Sequence, residues 1–237
     1  MLSSIMQQNI WPFKITVDIA CMENNGNPST EKIASAFSYL GLYTKLTVVK
    51  NKNRFARRGF VRNIQVKNAI KSGAKYIFFA DADNVYHPDF FKLLIDKLSE
   101  LGDCGKVIYS PYKIHTQMLD TNKTIADCMV EYPFIKDAYK RAKELPVFEI
   151  PKHLLKNGAA AGCMQVVSIN DMISKCGGVY SDKLINDRDL FRNGQLARSD
   201  RKFRERMGGS LKIRLPEYIH LGHIRDKELG YHTEEQR

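Results

Sequence analysis

The sequence predicts an α/β fold of the Rossmann-like kind, a mostly parallel central sheet flanked by helices. Three observations carry that reading. Strand-like runs alternate with amphipathic helical stretches along the first hundred residues, the run Tyr76-Ile77-Phe78-Phe79-Ala80 is apolar at every position, and Asp81-Ala82-Asp83 follows it at once. Alternating strand and helix marks a sheet built with right-handed crossovers. Sheets of that kind bind ligands at the carboxyl ends of their strands.

The elements follow in order. Phe13, Ile15, Val17, Ile19 and Cys21 alternate with Lys14, Thr16, Asp18 and Ala20, which is the period of a strand. Asn24-Asn25-Gly26-Asn27 reads as a loop, with Asn27 capping a helix whose first residue is Pro28 and whose first turn holds Glu31. Ile33, Ala36, Phe37 and Leu40 form its apolar stripe, and Gly41 ends it. A second strand is predicted over 46–49, a basic helix over 58–72, the apolar strand over 76–80, a helix opened by Pro88 with Phe90, Leu94, Leu98 and Leu101 on one face, and a strand over 106–110. From 111 to 157 the pattern is irregular, with a helix around 135–143 and prolines at 133, 146 and 151, and this segment reads as an insertion. The small-residue run 158–162, a strand over 164–168, the turn Gly177-Gly178, an arginine-rich helix over 189–207 and a strand over 213–221 complete one domain spanning 1–237.

Composition narrows the partners. No apolar run approaches the roughly 20 residues that cross a bilayer, and no basic flank precedes an apolar stretch, so the reading is a chain neither exported nor anchored. Five scattered cysteines without a CxxC pair read as free thiols in a reducing, cytoplasmic setting. A formal net charge of +11 creates a field that draws polyanions: nucleotides, nucleic acid or anionic lipid.

The carboxylate pair is the strongest chemical signal. Asp81 and Asp83 stand where the most hydrophobic strand ends. Magnesium and manganese prefer hard oxygen ligands and keep positions open for substrate phosphates, so such a pair suits a cation bound beside a diphosphate. The alternative is a solvated turn or helix cap, which His87-Pro88 downstream also fits.

Arg62-Asn63, Ala69, Gly73, Tyr76-Ile77 and Asp81-Ala82-Asp83 together resemble the "ARN…A…G…YI…DAD" block of the GT-A glycosyltransferases of the large inverting, family 2-like group. Gly177-Gly178-Val179-Tyr180 followed by Asn186-Asp187-Arg188-Asp189-Leu190 is similar to its "GG…ED-x-DL" segment, with Asn186 in place of the usual Glu. Leu221-Gly222-His223-Ile224-Arg225 resembles the late "GH-x-x-R" segment of metal-dependent members. The likeness runs from about Ile15 to Arg225, outside the segment 111–157.

The resemblance implies a metal-dependent transferase that moves a sugar from a nucleoside diphosphate sugar to an acceptor hydroxyl. It implies Asp81, Asp83 and His223 as holders of a manganese or magnesium ion, with His220 the competing histidine, and Asp187 as the base that deprotonates the acceptor. Asp182 and Asp189 are the fallback bases, and a helix cap is the structural alternative for Asp187. Ala82 lies within the donor site, Arg57, Arg58 and Arg62 are candidates for phosphate contact through their guanidinium forks, and Met22 and Glu23, at the end of the first strand, are placed near the nucleotide base. The segment 111–157 would face the acceptor.

Seven basic side chains between Arg188 and Arg206 are more than one solvated helix needs. They point to a polyanionic acceptor such as DNA, or to a polymeric or lipid-linked saccharide at an anionic surface. Nucleotidyl transfer, the neighbouring enzyme class, calls for a glycine-rich basic loop after the first strand, and Asn24-Asn25-Gly26-Asn27 supplies one glycine and no lysine. A non-catalytic nucleic-acid-binding role leaves both aspartate blocks unexplained.

Overall fold

The computed structural model describes residues 1–8, 13–22, 29–49, 58–110, 114–116, 136–145, 147–148, 164–180, 198–216 and 218–221. Strand β1 (Thr16–Met22), helix α2 (Ser29–Tyr39), strand β2 (Tyr43–Val49), helix α3 (Arg58–Lys71) and strand β3 (Tyr76–Ala80) follow the alternation read from the sequence. A short helix α1 (Leu2–Met6) precedes them. β4 (Asn84–Tyr86), α4 (Phe90–Leu101), β5 (Val107–Tyr109), β6 (Ile114–Thr116), α5 (Ala138–Lys143) and β7 (Val147–Phe148) come next. The C-terminal third supplies β8 (Met164–Ser168), α6 (Ile169–Cys176), α7 (Arg198–Arg206), β9 (Ser210–Lys212) and β10 (Tyr218–His220).

β1 and β2 pair in parallel, as a strand-helix-strand unit must. The helix between them ends where expected: Gly41 takes φ 99°, and the Leu42 N–H reaches back to the Phe37 carbonyl at 3.0 Å. A polar lock holds α3 on this pair. The Asp18 carboxylate accepts from Thr47 Oγ1 at 2.7 Å and from Asn68 Nδ2 at 2.9 Å, and Gln65 Nε2 donates to the Asp18 carbonyl at 2.7 Å.

The other described strands form two four-stranded sheets, both mixed. In the order β3-β8-β5-β9, β8 runs antiparallel to both β3 and β5, while β9 is parallel to β5. In the order β4-β10-β6-β7, β10 runs antiparallel to β4 and parallel to β6. In the β3-β8-β5-β9 sheet the reversal enters with β8, which arrives after the long stretch beginning at residue 111 and is therefore free of the short crossover that keeps neighbouring strands parallel, and in the other sheet β7 is antiparallel to β6.

β3 buries Ile77 and Phe79 on one face and half-buries Tyr76, Phe78 and Ala80 on the other, so both faces of its apolar sequence are packed. Phe78 and Ala80 pack toward a core of Tyr86, Phe90, Phe91, Leu94, Met164, Val166 and Tyr218. Ile77 and Phe79 join a second core with Val66, Val107, Val167, Met172, Tyr180, Phe203 and Met207. Phe78 meets Tyr86 and Phe91 edge to face at 5.7 and 5.3 Å between centroids, the geometry that aligns ring quadrupoles.

Six described elements were not read from the sequence: α1, β4, β6, β7, α6 and β9. α1 is docked beside β4: Ser4 Oγ accepts from the Tyr86 N–H at 3.1 Å, while Gln8 donates to the His87 carbonyl and accepts from the Phe91 N–H. β4 is only three residues long, below what a period of two can reveal. Arginine-rich α7 is described over Arg198–Arg206, and the earlier part of the helix read from the sequence, 189–197, lies outside the described residues.

Candidate active site

The site is built where β3 ends. Asp81 follows its last residue, exposed Ala82 turns the chain, and Asp83 leads into β4. The two carboxylates have different partners. Asp83 Oδ2 lies 3.3 Å from Nε2 of His220, with both side chains largely buried. Asp81 Oδ1 lies 3.9 Å from Nη2 of Arg62.

Strand pairing explains the first contact. β10 lies against β4 with His220 opposite Asn84, and the Leu221 N–H donates to the Asp83 carbonyl at 2.9 Å. The ladder therefore delivers a histidine from near the C-terminal end of the chain to the aspartate turn. The Met1 amino group is buried here too: burial lowers its pKa to about 6, against the opposing pull of the Asp83 carboxylate.

Arg62 joins two of the sequence blocks. It is 6% exposed, and its guanidinium lies 5.3 Å from the Phe79 ring centroid and 4.9 Å from that of Tyr180. It also donates to the Tyr180 hydroxyl. Asn63 beside it accepts from the Tyr180 N–H at 2.8 Å. Arg62-Asn63 on α3 thus grips the residue that ends Gly177-Gly178-Val179-Tyr180, and Tyr180 stacks on Phe203 of α7 at 4.4 Å. A guanidinium so enclosed is turned toward Asp81 and Tyr180. The signal for this was the adjacency of Arg62 and Asn63, and the partner was not legible from spacing.

The glycine turn is also explained. Gly177 caps α6 in the left-handed region, and Gly178, at φ 70°, brings its α-carbon so close to Ile70 that an added Cβ would meet Cδ1 at 3.0 Å. Only glycine combines that backbone with that approach.

The remaining predicted residues are distributed as follows. Met22 closes β1 and Arg58 opens α3, placing the backbone of each at the strand-end side, and their side chains lie outside the described set. Glu23, Arg57, Asp182, Asp187, Asp189 and His223 also lie outside it. Cys21, one residue before Met22, has its thiol pushed up by burial and by the Glu31 carboxylate, so it is held in the protonated, unreactive form. Among the described residues no three of His, Cys, Asp and Glu converge as a metal cluster. Asp83 and His220 nonetheless form a mixed oxygen and nitrogen pair of the kind that binds a divalent ion whose other positions are filled by phosphate and water.

The basic helix α7 is partly structural. Phe203 and Met207 are fully buried. Arg206 donates to the Cys176 carbonyl at 3.2 Å and the Tyr180 carbonyl at 3.5 Å, which ties α7 to the end of α6. Lys202 is exposed.

No helix among the described residues is long and apolar enough to cross a membrane. No curated protein matches the chain. The family model of glycosyl transferase family 2 matches residues 1–156, a span that ends before the Gly177 and Leu221 blocks and includes most of the stretch set apart as an insertion. That match covers more than half of the 237 residues and joins the α/β architecture and the aspartate turn at the strand end, so the chain belongs to glycosyl transferase family 2 and is a GT-A glycosyltransferase that uses a nucleotide sugar.

Proposed function

We propose that the enzyme is metal-dependent and inverting, transferring a sugar from a nucleoside diphosphate sugar to the hydroxyl of a polyanionic acceptor. The contact of His220 with Asp83 at the end of β3 is the observation that supports the metal site. Asp83 and His220 would hold manganese or magnesium, with Asp81 beside them and His223 the alternative histidine. A bound cation supplies positive charge to the diphosphate as it leaves.

The chain's own residues do the rest. Arg62 holds the Asp81 carboxylate in place through their contact and is itself fixed by Tyr180 and Phe79. Asp187 accepts the acceptor's hydroxyl proton as the new bond to the anomeric carbon forms and the bond to the diphosphate oxygen breaks. The polyanionic acceptor, DNA or an anionic saccharide, is suggested by the net charge of +11 and by exposed Lys202 on α7.

Incubation with manganese and each common nucleotide sugar, followed by assay for free nucleotide, tests the donor and the metal together. Turnover that survives excess chelator, or that is unchanged in Asp83→Ala, overturns the metal-dependent reading.

A further inference from the structure

Gln165 occupies the second position of β8, where every residue is buried. Its own side chain is 0% exposed, and neither Nε2 nor Oε1 has a hydrogen-bond partner among the described residues. A buried amide without partners is costly, and folded proteins keep few of them. Methionine or leucine would fill the same space without that penalty, as Met164, Val166 and Val167 do along the strand. Ser168, the other polar residue of β8, is accounted for, because its Oγ accepts from the Asp171 N–H as the cap of α6.

Strand register says where the amide points. Gln165 stands directly opposite Phe79, so the two side chains project from the same face of the sheet. On that face the Phe79 ring adjoins the Arg62 guanidinium, which reaches Asp81. Asp81 lies two residues beyond Phe79, which makes it the diagonal neighbour of Gln165, with backbones about 7–8 Å apart. The unpartnered amide is therefore on the face of the sheet that carries Phe79 and Arg62, at the end of β3 nearest the aspartate turn.

We infer that the Gln165 amide binds neighbouring hydroxyl groups of a sugar in this site. The inference rests on the proposed function and deepens it. A carboxamide offers two N–H donors and a carbonyl acceptor. A sugar hydroxyl both donates and accepts, so a pair of adjacent hydroxyls satisfies both ends of the amide. Phosphate at neutral pH is chiefly an acceptor and would leave Oε1 unmatched. The nucleotide base belongs by the sequence reading near the end of β1, on a different strand pair. Gln165 would thus be a specificity-determining residue: a site built to hydrogen-bond a substrate hydroxyl rejects the analogue that lacks it, because the site's own polar groups are then left unpaired.

Gln165→Met and Gln165→Leu remove the amide at nearly constant volume. For each, the melting temperature, donor hydrolysis without acceptor, and transfer are measured with the parent nucleotide sugar and with donors and acceptors lacking one hydroxyl. The expected result is an unchanged or raised melting temperature with kcat/KM lowered by about tenfold per hydrogen bond lost. That loss should vanish for the analogue missing the hydroxyl that Gln165 reads. Lowered hydrolysis along with transfer assigns the amide to the donor sugar, and lowered transfer alone assigns it to the acceptor sugar. Wild-type kcat/KM in both variants overturns the inference and leaves the proposed function standing. So does an equal loss for every analogue, or failure of both variants to fold, since either shows a structural amide. A wild-type enzyme inert toward all nucleotide sugars overturns the proposed function and this inference together.

Discussion

His220 Nε2 lies 3.3 Å from Asp83 Oδ2, which joins the last described strand to the aspartate turn that follows β3. If this pair holds the cation, His220→Ala should weaken manganese binding by about 10- to 100-fold. His223→Ala should leave it within about twofold of wild type, well short of the effect of losing a ligand. Manganese titration by electron paramagnetic resonance reads affinity without requiring turnover. The reverse ranking would transfer the ligand role to His223.

Arg62 is buried against Tyr180 and Phe79 and reaches a partly exposed carboxylate. Its removal should destabilise the fold by about 1–3 kcal/mol, a figure kept low because solvent screens Asp81. Lysine at this position cannot reproduce the planar fork or its stacking, so Arg62→Lys should recover less than half of the loss. Urea denaturation of the two variants measures both quantities.

Asp187→Asn should retain donor binding and lose transfer, because an amide cannot take the acceptor's proton. Transfer is expected to fall by at least about 100-fold, the scale of a general base, with the dissociation constant for nucleotide sugar unchanged. Steady-state transfer combined with calorimetric donor titration distinguishes this from a binding defect. Undiminished transfer would place the base elsewhere or indicate retention of configuration.

The basic side chains of α7 should divide into two classes. Arg206 donates to the Cys176 and Tyr180 carbonyls, so Arg206→Ala should destabilise the fold by about 1–2 kcal/mol. Arg201→Ala with Arg204→Ala should weaken polyanion binding and reduce the slope of log affinity against log salt by about 0.7 to 0.9 per phosphate contact. Fluorescence anisotropy with duplex and single-stranded DNA at several salt concentrations follows the second effect. No binding at low salt removes nucleic acid from the acceptor class and leaves anionic saccharides.

The local half of the molecule was legible from residue order. β1, α2, α3 and α4 announce themselves by period and β3 by its unbroken apolar run, and the Gly41 stop was readable because one glycine at a helix end does one job. The direction of β8 was not. A strand that follows a long irregular stretch can enter a sheet either way, and hydrophobic pattern carries no sign for direction. β4 and α1 were missed because three and five residues are too few to display a period.

By itself the sequence determined that an α/β sheet would present two carboxylates at the end of a buried strand, because those properties depend on neighbours a few residues apart. It also set the family-like blocks side by side in one chain without saying how they touch. Only the tertiary structure decided that Arg62 turns inward to Asp81 and Tyr180, that His220 meets Asp83, and that the Gln165 amide is buried opposite Phe79. Each of these joins residues from distant parts of the chain. Strand register and the packing of α3 against the sheet fix them, and both arise from burying two apolar faces at once rather than from any local preference.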